Sequence, residues 1–425
     1  MRRLIGEAQR YVHFENYIIR DDRTGRSFAA ELKEAARRGV EVRVLYDALG
    51  CRSTSGRFWN DLRRAGIEVR PFNPLNLLHP IASLRRNHRK YLGADGSRAI
   101  VGGLCIGDEW SGDPPRGRMP WRDTALEVCG PAARAIDLTF QKLWRKCKGE
   151  FRTSLEATPP APCGEAVIRV VDGVPGRLRI YRAVDLLVAS ASHRLWITNA
   201  YLVAPAPLFA GLLAAARDGV DVRLLLPGRT DIPAVRAFTR VGYRELLEAG
   251  VRIWEWRGPM LHAKTAVVDD LWLKVGSSNL NLPSFLSNYE LDLLLKDTEL
   301  AAEAAFQFRR DLTSAAEIVL RPRRVFTPLA EHLPPAVVAD GAPSESPSHR
   351  PWARERSQRA VLTFRQVAGG ARRSIAGALL FASAGVGALF LVAPRLMGYL
   401  AAFAFFWIAA GAARQFVARR HQGGE

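Results

Sequence analysis

Cysteine is scarce in this 425-residue chain, and none of the five forms a Cys-x-x-Cys pair. Cys51, Cys105, Cys129, Cys147 and Cys163 are odd in number and unpatterned. That excludes a zinc ribbon and a disulfide framework, and leads us to expect reduced thiols in a cytosolic body. Clustered carboxylates spaced for a divalent cation are also missing, so no metal or other cofactor is expected. A signal peptide is not expected either, because Glu7 and Arg10 interrupt the apolar residues after Met1-Arg2-Arg3. Acidic residues are in deficit: 42 Asp+Glu face 61 Lys+Arg, a net charge of +19. Such a surface favours polyanions, either nucleic acid or anionic lipid headgroups. With 48% hydrophobic residues, the chain is neither disordered nor fibrous, and its length suits two domains with full cores.

Long charge-free runs occur near the C-terminus. Ser374–Ala393 and Leu396–Ala413 carry no formal charge and are separated by Pro394-Arg395. Each is about the 20 residues needed to cross the hydrocarbon core. Arg372, Arg373, Arg414, Arg419 and Arg420 flank the outer ends, which places both ends in the cytoplasm. The expectation is a two-helix membrane hairpin over residues 372–416, tethered by a flexible Pro-, Ser- and Arg-rich linker over 321–371.

The body is internally duplicated. Arg38-Gly39-Val40-Glu41-Val42-Arg43-Val44-Leu45 reads like Asp218-Gly219-Val220-Asp221-Val222-Arg223-Leu224-Leu225, offset by 180 residues. Ala65-Gly66-Ile67 matches Ala249-Gly250-Val251, and Asn16-Tyr17-Ile18-Ile19 matches Ala200-Tyr201-Leu202-Val203, both offset by 184. A near-constant offset of this size means two copies of one domain rather than a solenoid. The copies are expected at 1–156 and 163–320, joined through the Pro-rich stretch Ala157–Pro162. In each, a helix (Ser27–Arg37; Leu208–Arg217) ends at a glycine and leads into an alternating strand, which predicts α/β units on a largely parallel sheet. The second copy has Val167–Val171 and Leu178–Tyr181 ahead of its first helix, with no equivalent before Leu4. The first sheet therefore lacks an edge strand, or an upstream strand is missing from the start.

Each copy carries one H-x-K-x(4)-D constellation. His88, Lys90 and Asp95 precede Gly102-Gly103; His262, Lys264 and Asp269 precede Gly276-Ser277-Ser278-Asn279. On an extended segment residues i and i+2 face the same way, so each histidine shares a pocket with its lysine. If the halves pack about a pseudo-twofold axis, the two pairs meet in one site. Two imidazoles and two ammonium groups suit a phosphodiester: one imidazole attacks phosphorus, the other protonates the leaving alkoxide, and the lysines neutralise the non-bridging oxygens. Asp95 and Asp269 complete the motif but have the opposite strand parity, and are read as structural charge-pairing residues.

These paired motifs resemble the phospholipase D superfamily. Within it, Gly102-Gly103-Leu104-Cys105-Ile106-Gly107-Asp108-Glu109-Trp110 is similar to the G-G-x-N-x-G-D-E-[YW] stretch of bacterial cardiolipin synthases, and Trp121–Thr124 and Ser284–Glu290 fit that family. The resemblance covers about residues 4 to 320 and implies two duplicated αβ sandwich domains about a pseudo-twofold axis. It implies His88 as nucleophile and His262 as general acid. Lys90, Lys264, Asn279 and Ser277 would hold the phosphate, with Asp123 and Glu290 orienting the histidines. Cys105 stands where the family has Asn, which puts one phosphate contact of the first half in doubt.

The implied reaction is transfer of a phosphatidyl group from one phospholipid to phosphatidylglycerol, giving cardiolipin. The implied partners are phosphatidylglycerol, phosphatidylethanolamine as a possible donor, and the inner bacterial membrane with the catalytic body on its cytoplasmic side. A phospholipase D-type hydrolase remains open on the motifs alone. Nucleic acid is the less favoured substrate, because a nuclease gains nothing from a membrane hairpin. Oligomeric state is left open, since one chain already supplies both half-sites.

Overall fold

The computed structural model describes residues 1–75, 83–151 and 160–320. The expected linker and membrane hairpin, and the first half of the stretch Ala157–Pro162, lie outside the described residues. Among the described residues no helix is long and apolar enough to cross a membrane.

The first half builds a six-stranded sheet from β1 (Tyr11–Asn16), β2 (Glu41–Asp47), β3 (Glu68–Phe72), β4 (Tyr91–Ala94), β5 (Arg98–Gly102) and β6 (Ala125–Cys129), in the order β3-β2-β1-β4-β5-β6. The second half builds eight strands: β7 (Val167–Gly173), β8 (Arg194–Thr198), β9 (Asp221–Pro227), β10 (Arg252–Trp256), β11 (Thr265–Val268), β12 (Trp272–Gly276), β13 (Glu290–Lys296) and β14 (Ala315–Ile318). Their order is β14-β10-β9-β8-β11-β12-β13-β7. Removing β14 and β7 leaves the order of the first sheet, so the duplication read from sequence is structural. The first sheet has no counterpart of β7 among the described residues. Leu178–Tyr181 forms no second strand but enters the helix Arg179–Ser190.

The sheets are mixed rather than largely parallel. β1, β2 and β3 run parallel, but β1–β4, β4–β5 and β5–β6 are antiparallel, and the second sheet repeats this. Helix–strand alternation covers only the first three strands of each copy. β4 reverses into β5, and β11 into β12, through tight turns with positive φ at Asp95 (55°) and Gly96 (69°), and at Asp269 (50°) and Asp270 (53°). A tight reversal yields an antiparallel hairpin, whereas a parallel neighbour needs a crossover.

The helix after β1 spans Arg23–Arg37, four residues earlier than the apolar spacing indicates, because the Asp22 side chain accepts the Gly25 amide and caps it. Phe28, Leu32 and Ala35 bury its inner face, and Gly39 at φ 88° ends it. The counterpart Ala206–Arg217 ends at Gly219, also at φ 88°.

One apolar core joins the halves. Val101, Val128, Phe140 and Trp144 of the first pack in the same cluster as Trp196, Val267, Leu293 and Phe308 of the second. Truncating fully buried Trp144 to Ala would cost about 3–5 kcal/mol. A rigid shared core matters for the site, whose parts come from both halves.

The expectation of reduced thiols fails for two cysteines. Cys129 and Cys163 form a disulfide, with Cα atoms 6.2 Å apart. Cys129 ends β6, Gly130 turns at φ 73°, and the returning segment passes it with the Ala161 carbonyl oxygen and Cys163 Sγ 3.1 and 3.3 Å from where a Gly130 Cβ would lie. The pairing comes from this return of the chain and leaves no spacing pattern in the sequence. Cys51, Cys105 and Cys147 are free.

Candidate active site

Both H-x-K segments are extended lead-ins to β4 and β11 rather than parts of those strands. Each is fixed by the opposite half. Asn87 bridges to Tyr289 and Leu261 to Arg122; the His88 amide donates to the Tyr289 carbonyl (2.9 Å) and the His262 amide to the Arg122 carbonyl (2.7 Å). The next residue after each carbonyl is a carboxylate. His88 Nδ1 lies 3.0 Å from Glu290 Oε2, and His262 Nδ1 lies 2.7 Å from Asp123 Oδ2. Each half therefore supplies a histidine to the site and a carboxylate to the other half's histidine.

The carboxylates are themselves held. Glu290 accepts from Ser277 Oγ (2.5 Å), Ser284 Oγ (2.7 Å) and Asn288 Nδ2 (3.4 Å). Asp123 accepts from Trp110 Nε1 (3.0 Å) and the Thr124 amide (2.8 Å). Burial pushes both pKa values up, but the histidine and lysine beside each outweigh it and hold both near 2. Both are therefore anionic acceptors at neutral pH, and each takes an Nδ1–H. That fixes the tautomer and leaves Nε2 as the reactive nitrogen.

Burial lowers the histidines and lysines. His262 falls to about 4, through burial and then Lys264, against the pull of Asp123. His88 is lowered by burial and Lys90, against Glu290. Lys264 falls to about 7, and Lys90 is lowered likewise, with burial the main cause for both. Lys90 Nζ donates to the His88 carbonyl and Lys264 Nζ to the His262 carbonyl, which folds each ammonium back beside its imidazole. Without substrate the imidazoles are neutral and nucleophilic. An arriving phosphate anion would restore charge to the lysines and raise the acid histidine.

His88 and His262 line one cleft of about 490 Å³, together with Tyr17, Cys105, Tyr201 and Asn279. The two halves thus converge on a single site. Cys105 and Asn279 occupy matching positions after β5 and β12, and both are buried. Asn279 Oδ1 has no hydrogen-bond partner among the described residues. Burial raises the Cys105 thiol, so it stays protonated. It offers a weak S–H donor where Asn279 offers an amide.

Other residues differ from expectation. The Asp95 carboxylate has no ion pair among the described residues and accepts the amides of Gln9, Arg10 and Tyr11 (2.8–2.9 Å). Asp269 likewise accepts those of Ser192, His193 and Arg194 (2.7–2.8 Å). Both tie the turn after the motif strand to the start of β1 or β8, away from the imidazoles, as backbone anchors rather than charge-pairing or proton-transfer groups. Ser277 donates its hydroxyl proton to Glu290 Oε2 (2.5 Å), so it positions that carboxylate.

Sequence reasoning missed the aromatic walls. Tyr17 meets His88 edge-on at 4.9 Å and Tyr201 meets His262 at 6.3 Å, while Trp110 and Trp121 flank His262 at 5.6 and 5.9 Å. The tyrosine pair was visible as a repeat 184 residues apart. The roles of Ser284 and Asn288 left no such mark.

The chain matches the family profile described as "Cardiolipin synthase, PLD-like domain" over residues 1–108 and 186–312. It is 36% identical over 320 residues to a cardiolipin synthase of Geobacillus kaustophilus, covering 73% of this chain and 63% of that protein. A cardiolipin synthase A of Pseudomonas fluorescens is 35% identical over 325 residues, covering 74% and 66%. The chain belongs to the cardiolipin synthase family of phospholipase D-like proteins. It spans less than two thirds of the length of these relatives. The fold is also that of a phosphatidylserine synthase from Haemophilus influenzae, at TM-score 0.57 and 14% identity, over 75% of this chain and 84% of that one.

Proposed function

We propose that this family member is a membrane-bound phosphatidyltransferase that forms cardiolipin through a phosphatidyl-histidine intermediate. The supporting observation is the crossed arrangement: two imidazoles, each held at Nδ1 by a carboxylate of the other half, opening on one cleft. His88 Nε2 attacks phosphorus; the P–N bond forms as the P–O bond to the headgroup alcohol breaks. Protonated His262 gives its proton to the departing alkoxide. A hydroxyl of phosphatidylglycerol then attacks phosphorus and passes its proton to His262 Nε2, and the P–N bond breaks. Lys90, Lys264 and Asn279 carry the charge on the non-bridging oxygens, with Cys105 a weaker fourth contact. The donor is phosphatidylglycerol or phosphatidylethanolamine.

The apolar runs after residue 372 support anchoring at the inner membrane, with the catalytic body on the cytoplasmic side. Purified full-length chain incubated with labelled phosphatidylglycerol tests the reading. Cardiolipin and glycerol are expected, and neither with His88→Ala. Phosphatidic acid as the main product would make it a hydrolase, in which water takes the place of the lipid hydroxyl.

A further inference from the structure

The helix Pro233–Val241 faces the wrong way for a surface in water. None of its residues is buried. Its polar side points inward: Thr239 Oγ1 donates to the Leu202 carbonyl (2.8 Å), Arg240 Nε donates to Glu255 Oε1 (2.8 Å), and Arg236 lies 3.9 Å from the same carboxylate. Its apolar side points out. Ala234, Ala237, Phe238 and Val241 recur at i, i+3, i+4 and i+7, one helix face, with Phe238 67% and Val241 82% exposed.

The helix starts directly after two residues of the cleft lining. Asp231 and Ile232, which lead into the helix, line the cleft, and Ile232 is 46% exposed. Exposed Leu282 sits between the lining residues Asn281 and Pro283. Exposed Leu84 is two residues from lining Arg86, and exposed Met119 two residues from lining Trp121. Arg52, exposed in the cleft lining, has no ion-pair or hydrogen-bond partner among the described residues. Exposed apolar side chains on the segments that supply the cleft lining, together with an unpaired arginine in that lining and a net charge of +19, match an anionic bilayer surface: acyl boundary for the apolar residues, headgroup phosphate for the arginine.

We propose that the helix Pro233–Val241 is an interfacial docking element. It seats Phe238 and Val241 in the headgroup–acyl boundary of an anionic membrane and brings the cleft mouth against the lipid surface. This function is separate from anchoring by the distal apolar runs: an anchor holds the chain near the bilayer, whereas this helix would orient the cleft so that a phospholipid headgroup enters it. The inference deepens the proposed function and rests on a phospholipid being the substrate.

The test uses full-length protein and vesicles of phosphatidylglycerol and phosphatidylcholine. In the double variant Phe238→Asp with Val241→Asp, turnover of vesicle lipid should fall about tenfold or more, because charge cannot enter the boundary. Turnover of dihexanoyl-phosphatidylglycerol, dissolved as monomers, should stay within about twofold, which excludes misfolding as the cause. Independently of activity, a nitrobenzoxadiazole label on Phe238→Cys, in a Cys147→Ser background, should shift to the blue when vesicles are added. Unchanged vesicle turnover in the double variant, or a label that does not respond, overturns the proposal. A double variant that dissociates an oligomer while the label ignores vesicles would assign the face to a second copy and overturn it equally. A label that inserts while no lipid is turned over would leave the docking surface standing and sink the proposed function instead.

Discussion

Replacing Glu290 with Gln isolates the contribution of the crossed carboxylates. Glu290 is fully buried and is depressed from the usual 4.5 to about 2: burial acts to raise it, and His88 and Lys90 overcome that. The depression corresponds to roughly 3 kcal/mol favouring the anion. Gln is nearly isosteric and keeps a partner for Ser277, Ser284 and Asn288. Its amide can also donate to His88 Nδ1, which would place the proton on Nε2 and occupy the lone pair that attacks phosphorus. A wrong tautomer of this kind lowers turnover by about 10³–10⁴-fold. Lipid binding should change little, since Lys90, Lys264 and Asn279 remain. The assay is turnover of labelled phosphatidylglycerol with kcat and KM separated. Stability gives a second reading. A depressed carboxylate stabilises the fold above about pH 4.5, and that contribution is lost as pH falls towards 2. Thermal melts of Glu290→Gln should therefore depend less on pH across that window than the wild type. A variant with kcat within about tenfold of wild type would refute the tautomer argument.

Three further outcomes are expected. Cys105→Asn restores a second amide at the phosphate, and KM for phosphatidylglycerol should fall about tenfold, as for one added hydrogen bond to a charged group; an unchanged or higher KM contradicts the assignment of that position. Lys264, lowered to about 7, loses its charge as pH rises through neutrality, so kcat/KM should decline above about pH 7 and keep its plateau to higher pH in Lys264→Arg; a wild-type profile flat to pH 9 opposes this. Denatured, unreduced protein should titrate three thiols rather than five. Cys163→Ser should lower stability by about 3–4 kcal/mol, measured by denaturant melts, for loss of a link spanning 34 residues.

The site was more legible than the sheet around it. Histidine and lysine two apart in an extended segment must share a side, and the repeated motif announced two such pairs; convergence then needed only a twofold packing of the copies. The pairing of Glu290 with His88 and of Asp123 with His262 crosses the halves, and only the resemblance to a family pointed to it. Sheet direction was misjudged because helix–glycine–strand periodicity marks the parallel half, whereas the antiparallel half is marked by the turns Asp95-Gly96 and Asp269-Asp270, a hairpin signal that such periodicity does not register. Strand parity set those aspartates apart from the histidines, but nothing in the sequence marks the backbone amides their carboxylates accept. Cys129 and Cys163 were unreadable as a pair because the contact is made by the return of the chain past Gly130. The outward apolar face of Pro233–Val241 has ordinary helical spacing, and sequence alone gives no sign of which side faces in.

A covalent bond between phosphorus and His88 is the central step of the proposed reaction. A phosphatidyl ester of p-nitrophenol, whose leaving group departs without a proton, should load the His262→Ala variant and stall there. Alkaline quench, proteolysis and mass spectrometry should then find the phosphatidyl mass on the peptide containing His88. An adduct on another residue, or release of p-nitrophenol with no adduct and undiminished turnover, would contradict it.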